Sequence, residues 1–261
     1  MWQPDGWDAR ARIGVLTPHG DVGPESELQA MAPDGVRVHA ARVPFGAMAR
    51  GGRIPPTIPL APIREYPDPP HVDDAARLLA AAPVRSIAFA FTSSGYATGP
   101  AAEAELLHRL DAATHGIPVV ATCSAAVLAL RALGVGELAL LDPPWFDQEL
   151  SGMGAEYFRD QGLEVVFNSP VGLPSNQRSI NPGELYDWVR EHVSARAEAV
   201  FVGGNGMRAV GVIAALEQDL GRPVLTANQV LLWHALHAGG LNVPVHGYGC
   251  LFEVQPPLPE E

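Results

Sequence analysis

The chain has 261 residues, 47% apolar and 18% charged, enough to bury a sizeable core in one large or two small domains. Its formal net charge is -12, from 29 acidic and 17 basic residues; nucleic acid and anionic membrane need a concentrated basic face, so neither is expected as a partner. No apolar run approaches the about 20 residues of a membrane span, and "MWQPDGWDARAR" lacks the apolar centre of a secretion signal, so a soluble, cytoplasmic protein is expected.

In chain order, short runs rich in Val, Ile, Leu and Ala alternate with helical spacing, the pattern of βαβ units with a mostly parallel sheet. The first strand is "RIGVLTP" (12–18). "PFGAMARGGRIPPTIPLAPIREYPDPP" (44–70) is too rich in Pro and Gly for a regular element and too long for an ordinary connection. It is read either as a cover over a site or as a plain surface excursion. A helix at 71–82 then leads to the strand "SIAFAFT" (86–92), a helix at 100–115, the strand "IPVVAT" (117–122) and a helix at 124–133. The strands "ELALLDP" (137–143), "LEVVFN" (163–168), "AVFVGG" (199–204) and "PVLTA" (223–227) follow, each trailed by a helix, at 147–161, 182–195, 207–220 and 228–238. The tail "VQPPLPEE" is read as frayed.

Three strand-plus-turn units recur in the same order. "IGVLTP" matches "LALLDP" 125 residues on, "AFTSSG" matches "VGGNG" 111 on, and "GIPVVATCSAAVLALRALGV" parallels "GRPVLTANQVLLWHALHAGG" 105 on. The fold class expected is therefore α/β: two pseudo-symmetric, doubly wound domains with parallel sheets and an active site in the cleft between them. Residues 1–122 plus 226–261 form one half and 123–225 the other. Ligands of parallel sheets sit beyond the strand carboxyl ends. The cleft is then bordered by "PHGD" (18–21), "TSSG" (92–95), "TCSA" (122–125), "DPPW" (142–145), "GGNG" (203–206) and "TANQ" (226–229).

The glycines at 203–206 have three readings. Gly204-Asn205-Gly206-Met207-Arg208-Ala209 fits a G-x-G-x-x-A dinucleotide fingerprint, but the next strand, ending "VLTAN", lacks the acid that holds a ribose. The glycines otherwise ease a sharp strand-to-helix turn. In the third reading "TSSG" and "GGNG" face each other, and helix-start amides with the hydroxyls of Thr92, Ser93 and Ser94 bind a carboxylate or another anion.

"RIGVLTPHGDVGPESE", "HAARVPF", "GIPVVATCSAAVLALRALGV" and "GRPVLTANQVLLWHAL" together resemble the aspartate/glutamate racemase superfamily, in its branch of maleate cis-trans isomerases and arylmalonate decarboxylases, over residues 12–240. The resemblance implies two facing α/β halves, a small organic acid between them, no cofactor and cysteine thiols as the reacting groups. The first thiol would fall at Phe91 or Thr92 and the second at Gly204, and neither position is cysteine. Gly204 is thus read as the seat of a missing nucleophile or acid. Asp21 stands where the isomerases carry a carboxylate-binding asparagine.

Replacement chemistry then has few sources. Asp21 and His19 are close enough in sequence to form an acid/base pair, the bland alternative for a loop histidine being solvation. Cys123 follows a strand expected to end at the cleft, where it either packs under its helix or supplies a thiol. Thr92, Ser93, Ser94, Gly204, Asn205 and Gly206 are expected to bind substrate. Arg42 neutralises a substrate carboxylate or makes a surface salt bridge, and Trp145 walls the pocket or belongs to the core. No metal site is expected, because His19, Asp21 and Glu25 lack ligand spacing. The two cysteines, Cys123 and Cys250, do not suggest a disulfide framework. The activity implied is isomerisation or a lyase step beside a carboxylate through an enolate-like intermediate, in a homo-oligomer; the alternative is a ligand-binding homologue that has lost the chemistry.

Overall fold

The computed structural model of the protein describes residues 5–257; residues 1–4 of the N-terminal stretch and the last four of the tail lie outside the described residues. The first half runs through β1 (Ala11–Pro18), α1 (Gly23–Met31), β2 (Val36–Val43), α2 (Leu60–Glu65), α3 (His71–Ala80), β3 (Ser86–Phe89), α4 (Thr92–Ala113), β4 (Val119–Ala121) and α5 (Thr122–Ala132). The second comprises β5 (Glu137–Asp142), α6 (Gln148–Asp160), β6 (Glu164–Pro170), α7 (Pro182–His192), β7 (Ala199–Val202), α8 (Ile213–Leu220), β8 (Val224–Thr226) and α9 (Ala227–Ala238).

Two four-stranded sheets result, ordered β2-β1-β3-β4 and β6-β5-β7-β8, and every pairing is parallel. The identical order makes the halves pseudo-symmetric, as the internal repeat implies. Central strands read as unbroken apolar runs because helices cover both faces: Val15, Leu16, Ile87, Leu140, Leu141 and Phe201 are all fully buried.

Four elements depart from the expectation. β2 is an edge strand in which Arg37, His39 and Arg42 interrupt the apolar residues, which hid it from a search for apolar runs. α1 is not among the expected helices, although the sequence carries its signals: Pro24 in the first turn and Glu25 beside it at the positive end. The 44–70 stretch is not wholly irregular, since α2 forms within it. β3 stops at Phe89 and α4 begins at Thr92, so the helix starts earlier than residue 100. Gly99, at φ 84, breaks α4 just before Pro100, because a residue ahead of proline is pushed out of helical geometry.

α9 ties the halves together. It leaves β8 of the second sheet through a capping box between Thr226 and Gln229, then packs on β3, β4 and α1 of the first sheet and on α5. Leu231, Leu232 and Trp233 are fully buried there, each worth on the order of 2 kcal/mol by area removed from water.

Candidate functional site

The strand tips of both sheets meet around a small cavity of ≈ 30 Å3. The first half contributes Asp21 from the turn after β1 and Thr92 and Ser93 from the start of α4. Gly204, Asn205 and Gly206 come from the turn after β7, and Trp145 and Phe146 from the turn after β5. Phe45, Met48, Ile54 and Ile58 close it from above. The Pro/Gly-rich stretch is therefore a cover, pinned where the Ile58 amide donates to the Trp145 carbonyl at 3.1 Å.

Asp21 is the only titratable residue of this lining. Its Oδ1 accepts from the Gly23 amide at 2.9 Å and its Oδ2 from Gln177 Nε2 at 3.0 Å. Burial raises its pKa above the ordinary carboxylate value, opposed by those two hydrogen bonds and by Arg42. Gln177 reaches it only because residue 206 is glycine: a Cβ there would lie 2.2 Å from Gln177 Nε2. Gln177, on the loop between β6 and α7, carried no motif in the sequence. Its partner lies 156 residues away, so no local signal could have found it.

Behind the cavity a buried polar chain joins the halves. Asn205 Oδ1 accepts from the Thr92 amide (2.9 Å), the Thr92 hydroxyl (2.7 Å) and the Thr122 hydroxyl (3.1 Å), while its Nδ2 donates to Asn228 Oδ1 at 2.9 Å. Asn228 Nδ2 donates to Glu27 Oε2 at 2.7 Å, and Glu27 Oε1 accepts from the Ala209 and Val210 amides. Burial pushes Glu27 up to about 7. The Asn205 Oδ1 is thus filled by protein donors, and its Nδ2 is held by Asn228 through one of its two hydrogens. Asn205 borders the cavity and fixes the α4 start against the β7 turn.

Other expectations are corrected by position. His19 is exposed and outside the lining; its Nδ1 accepts from the Phe45 amide at 3.1 Å, so it anchors the cover and does not pair with Asp21. Arg42 also misses the cavity, holding the Asp21 carbonyl and Glu25 instead. Ser94 faces away, donating to the Phe91 carbonyl at 3.0 Å. Cys123 is fully buried off the cavity, its thiol donating to the Thr92 carbonyl at 3.3 Å. Burial, then Glu103 and Asp142, push that thiol well above its ordinary range, which disfavours the thiolate. Both cysteines are free.

Thr92, Ser93, Trp145, Gly204 and Gly206 do line the cavity. The Thr92 hydroxyl is spent on Asn205. Among the described residues the Ser93 hydroxyl has no side-chain partner, and it sits at the α4 start, where unpaired amides and the positive dipole end gather. Gly204 has φ 81, and a Cβ built on it would lie 2.1 Å from Pro143 Cγ. The space that a side chain at 204 would need is filled by a proline ring, so this backbone has no vacant seat there.

A second carboxylate lies under the floor. Asp142 ends β5, fully buried, with Oδ2 accepting from the Ser151 hydroxyl at 2.6 Å and from Asn168 Nδ2 at 3.3 Å. Its Oδ1 and the Tyr96 hydroxyl flank Gly203, neither with a partner of good geometry. Burial raises Asp142 to about 7.

Comparison with solved structures places the fold. Maleate isomerase from Pseudomonas putida S16 superposes with a TM-score of 0.79 at 21% identity, covering 93% of this chain and 98% of that one. For a Nocardia farcinica maleate cis-trans isomerase variant carrying a covalent succinylcysteine intermediate the values are 0.78, 21%, 93% and 98%. For an arylmalonate decarboxylase they are 0.76, 21%, 93% and 99%. At such identity the likeness is one of fold. No curated protein sequence matches the chain significantly. The arylmalonate decarboxylase family pattern matches residues 69–252, well over half the sequence. The chain belongs to the arylmalonate decarboxylase family.

Proposed function

We propose that the protein is a cofactor-independent lyase or isomerase acting at the carbon beside a carboxylate of a small organic acid, with the Asp21 carboxyl as the group that moves the proton. The observation that carries this reading is the placement of one buried carboxyl, Asp21, in a mostly apolar cavity that it shares with Ser93 and the α4 start. The lining holds no cation. A substrate carboxylate held against Phe45, Met48, Ile58 and Trp145 is stripped of water there, which favours its departure as neutral CO2 with its electron pair left on the α-carbon.

In the lyase direction the bond between the α-carbon and that carboxylate breaks, CO2 leaves and the electron pair passes into an enolate of the retained acid group. Ser93 and the α4 amides stabilise the charge that builds on those oxygens, the kind of preorganised contact worth a few kcal/mol. Protonated Asp21 gives its proton to the α-carbon and regains one from solvent. In the isomerase direction its carboxylate removes the α-proton to give the same enolate, and return of that proton to the opposite face, after the enolate turns over in the site, inverts the α-carbon. A raised pKa keeps both forms accessible nearer neutrality than an ordinary aspartate allows.

The test is NMR and chiral chromatography of the purified protein in D2O with phenylmalonate, methylmalonate and one enantiomer of 2-phenylpropionate, following CO2 loss, α-deuteration and racemisation. Turnover of one member that falls about 100-fold or more in Asp21→Asn is expected. Binding that raises the melting temperature with no consumption of any of them marks a non-catalytic ligand binder and overturns the reading.

A further inference from the structure

The inner cavity is not the only space at the strand tips. A second cavity of ≈ 580 Å3 adjoins it and shares three of its residues, Asp21, Gln177 and Gly206. The partition between them is the Asp21–Gln177 hydrogen bond and the bare backbone of Gly206. The inner space of ≈ 30 Å3 takes about one water molecule, whereas ligand pockets commonly run to several hundred Å3. Parting Gln177 from Asp21 joins the two into a chamber of that size.

Charge is distributed unevenly along this chamber. The inner part holds no cation, while the outer part is lined by Arg178 and Arg208, both exposed. Each sits within two residues of a partition member, Arg178 next to Gln177 and Arg208 two beyond Gly206, so both flank the partition on its outer side. Among the described residues neither guanidinium is engaged by a carboxylate within 4 Å, whereas Arg42 and Arg109 are. The two acidic residues of the outer lining, Asp21 and Glu27, have both carboxyl oxygens committed to neighbouring donors. The free charge facing a ligand there is positive, in a protein whose net charge is -12.

We propose that the outer cavity is an anion subsite: the substrate is an elongated acid whose reacting end occupies the inner cavity and whose tail presents a second anionic group, carboxylate or phosphate, to Arg178 and Arg208. This extends the reading of the inner cavity as the reacting site and depends on it for which end reacts. Guanidinium groups suit such a tail because they pair with planar carboxylates and with phosphates through two parallel hydrogen bonds.

The test is calorimetric binding of three ligand series of increasing chain length: linear monocarboxylates, linear dicarboxylates, and alkanoates ending in a phosphonate. Expected is a rise in affinity with length in a doubly anionic series that the monocarboxylates lack; the series that shows it distinguishes a carboxylate from a phosphate-type tail. Arg178→Gln and Arg208→Gln should each weaken the long dianion about tenfold, as loss of a charge-assisted hydrogen bond does, and leave the monocarboxylate of equal length within about twofold. Arg208→Lys should recover part of the loss. Equal affinity for singly and doubly charged ligands at every length, no measurable binding in any series, or arginine variants indistinguishable from wild type overturn the subsite. Failure of the catalytic reading looks different: no turnover or α-deuteration by the wild type, with arginine-dependent dianion binding intact.

Discussion

Asp21 lies in the turn after β1 and Asp142 ends β5, the corresponding strand of the other half, and their fates differ. Both are buried, and burial raises the pKa of both. Asp142 is closed in by Ser151, Asn168 and the turn at Gly203, whereas Asp21 borders both cavities and is steadied by one removable side chain, Gln177. A perturbed carboxyl is therefore not by itself a reactive one. Access separates the two, and access comes from the loops around each strand tip.

The largest expected effect breaks this comparison if it fails: Asp21→Asn should lower turnover about 100-fold or more, while Asp142→Asn should leave it within about tenfold. Equal losses would mean that the sealed carboxyl takes part. The second contrast is in pH. Because Asp142 titrates at about 7 in the folded chain against 3.8 as its unperturbed value, the folded state holds the extra proton between these limits. Its contribution to stability is complete below the lower value and is lost as pH rises through the upper one, on the order of 4 kcal/mol at most. Denaturant unfolding at pH 5 and pH 8 should show a smaller drop in Asp142→Asn than in wild type; an unchanged drop removes Asp142 as its source. Glu27, also raised to about 7, adds a drop of the same sign that this variant retains.

Gly204→Cys, which restores the residue expected by family resemblance, should destabilise the fold by about 3 kcal/mol through positive φ and overlap with Pro143. Adding Pro143→Ala should return part of that loss in the same unfolding experiment; no return means that the ring is not the obstacle. The smallest effect sharpens the role of the partition. Gln177→Ala removes a hydrogen bond that lowers the Asp21 pKa, so the pH dependence of turnover should move upward, with less than tenfold change at the optimum. A downward move would put Gln177 on the protonated form.

What was legible in the sequence followed from local chemistry. Strands such as β1, β5 and β7 announce themselves because burial on both faces demands continuous Val, Leu and Phe, and the repeat exposed the pairing of halves. Trp145, Ser93 and Asp21 were found as strand-tip residues. Missed or misassigned residues depend on partners far away in the chain. Gln177 lies on a featureless loop, Asn205 is held by Thr92, Thr122 and Asn228, and the thiol of Cys123 is turned toward the Thr92 carbonyl. Whether a glycine marks a lost side chain or a filled one depends on Pro143, some sixty residues upstream, and no spacing rule carries that information.

The swapped helix α9 has a mechanical consequence. With its buried face fastened to one sheet and its first turn continuous with the last strand of the other, the protein is hasped shut across its waist, and the polar chain through Asn205 and Asn228 adds a second clasp. A wide clamshell swing would tear both. If Asp21 reacts as proposed, access to it is left to the local segments that border the cavities, the Phe45–Ile58 cover and the Gln177 loop, and does not need the frame behind them to open.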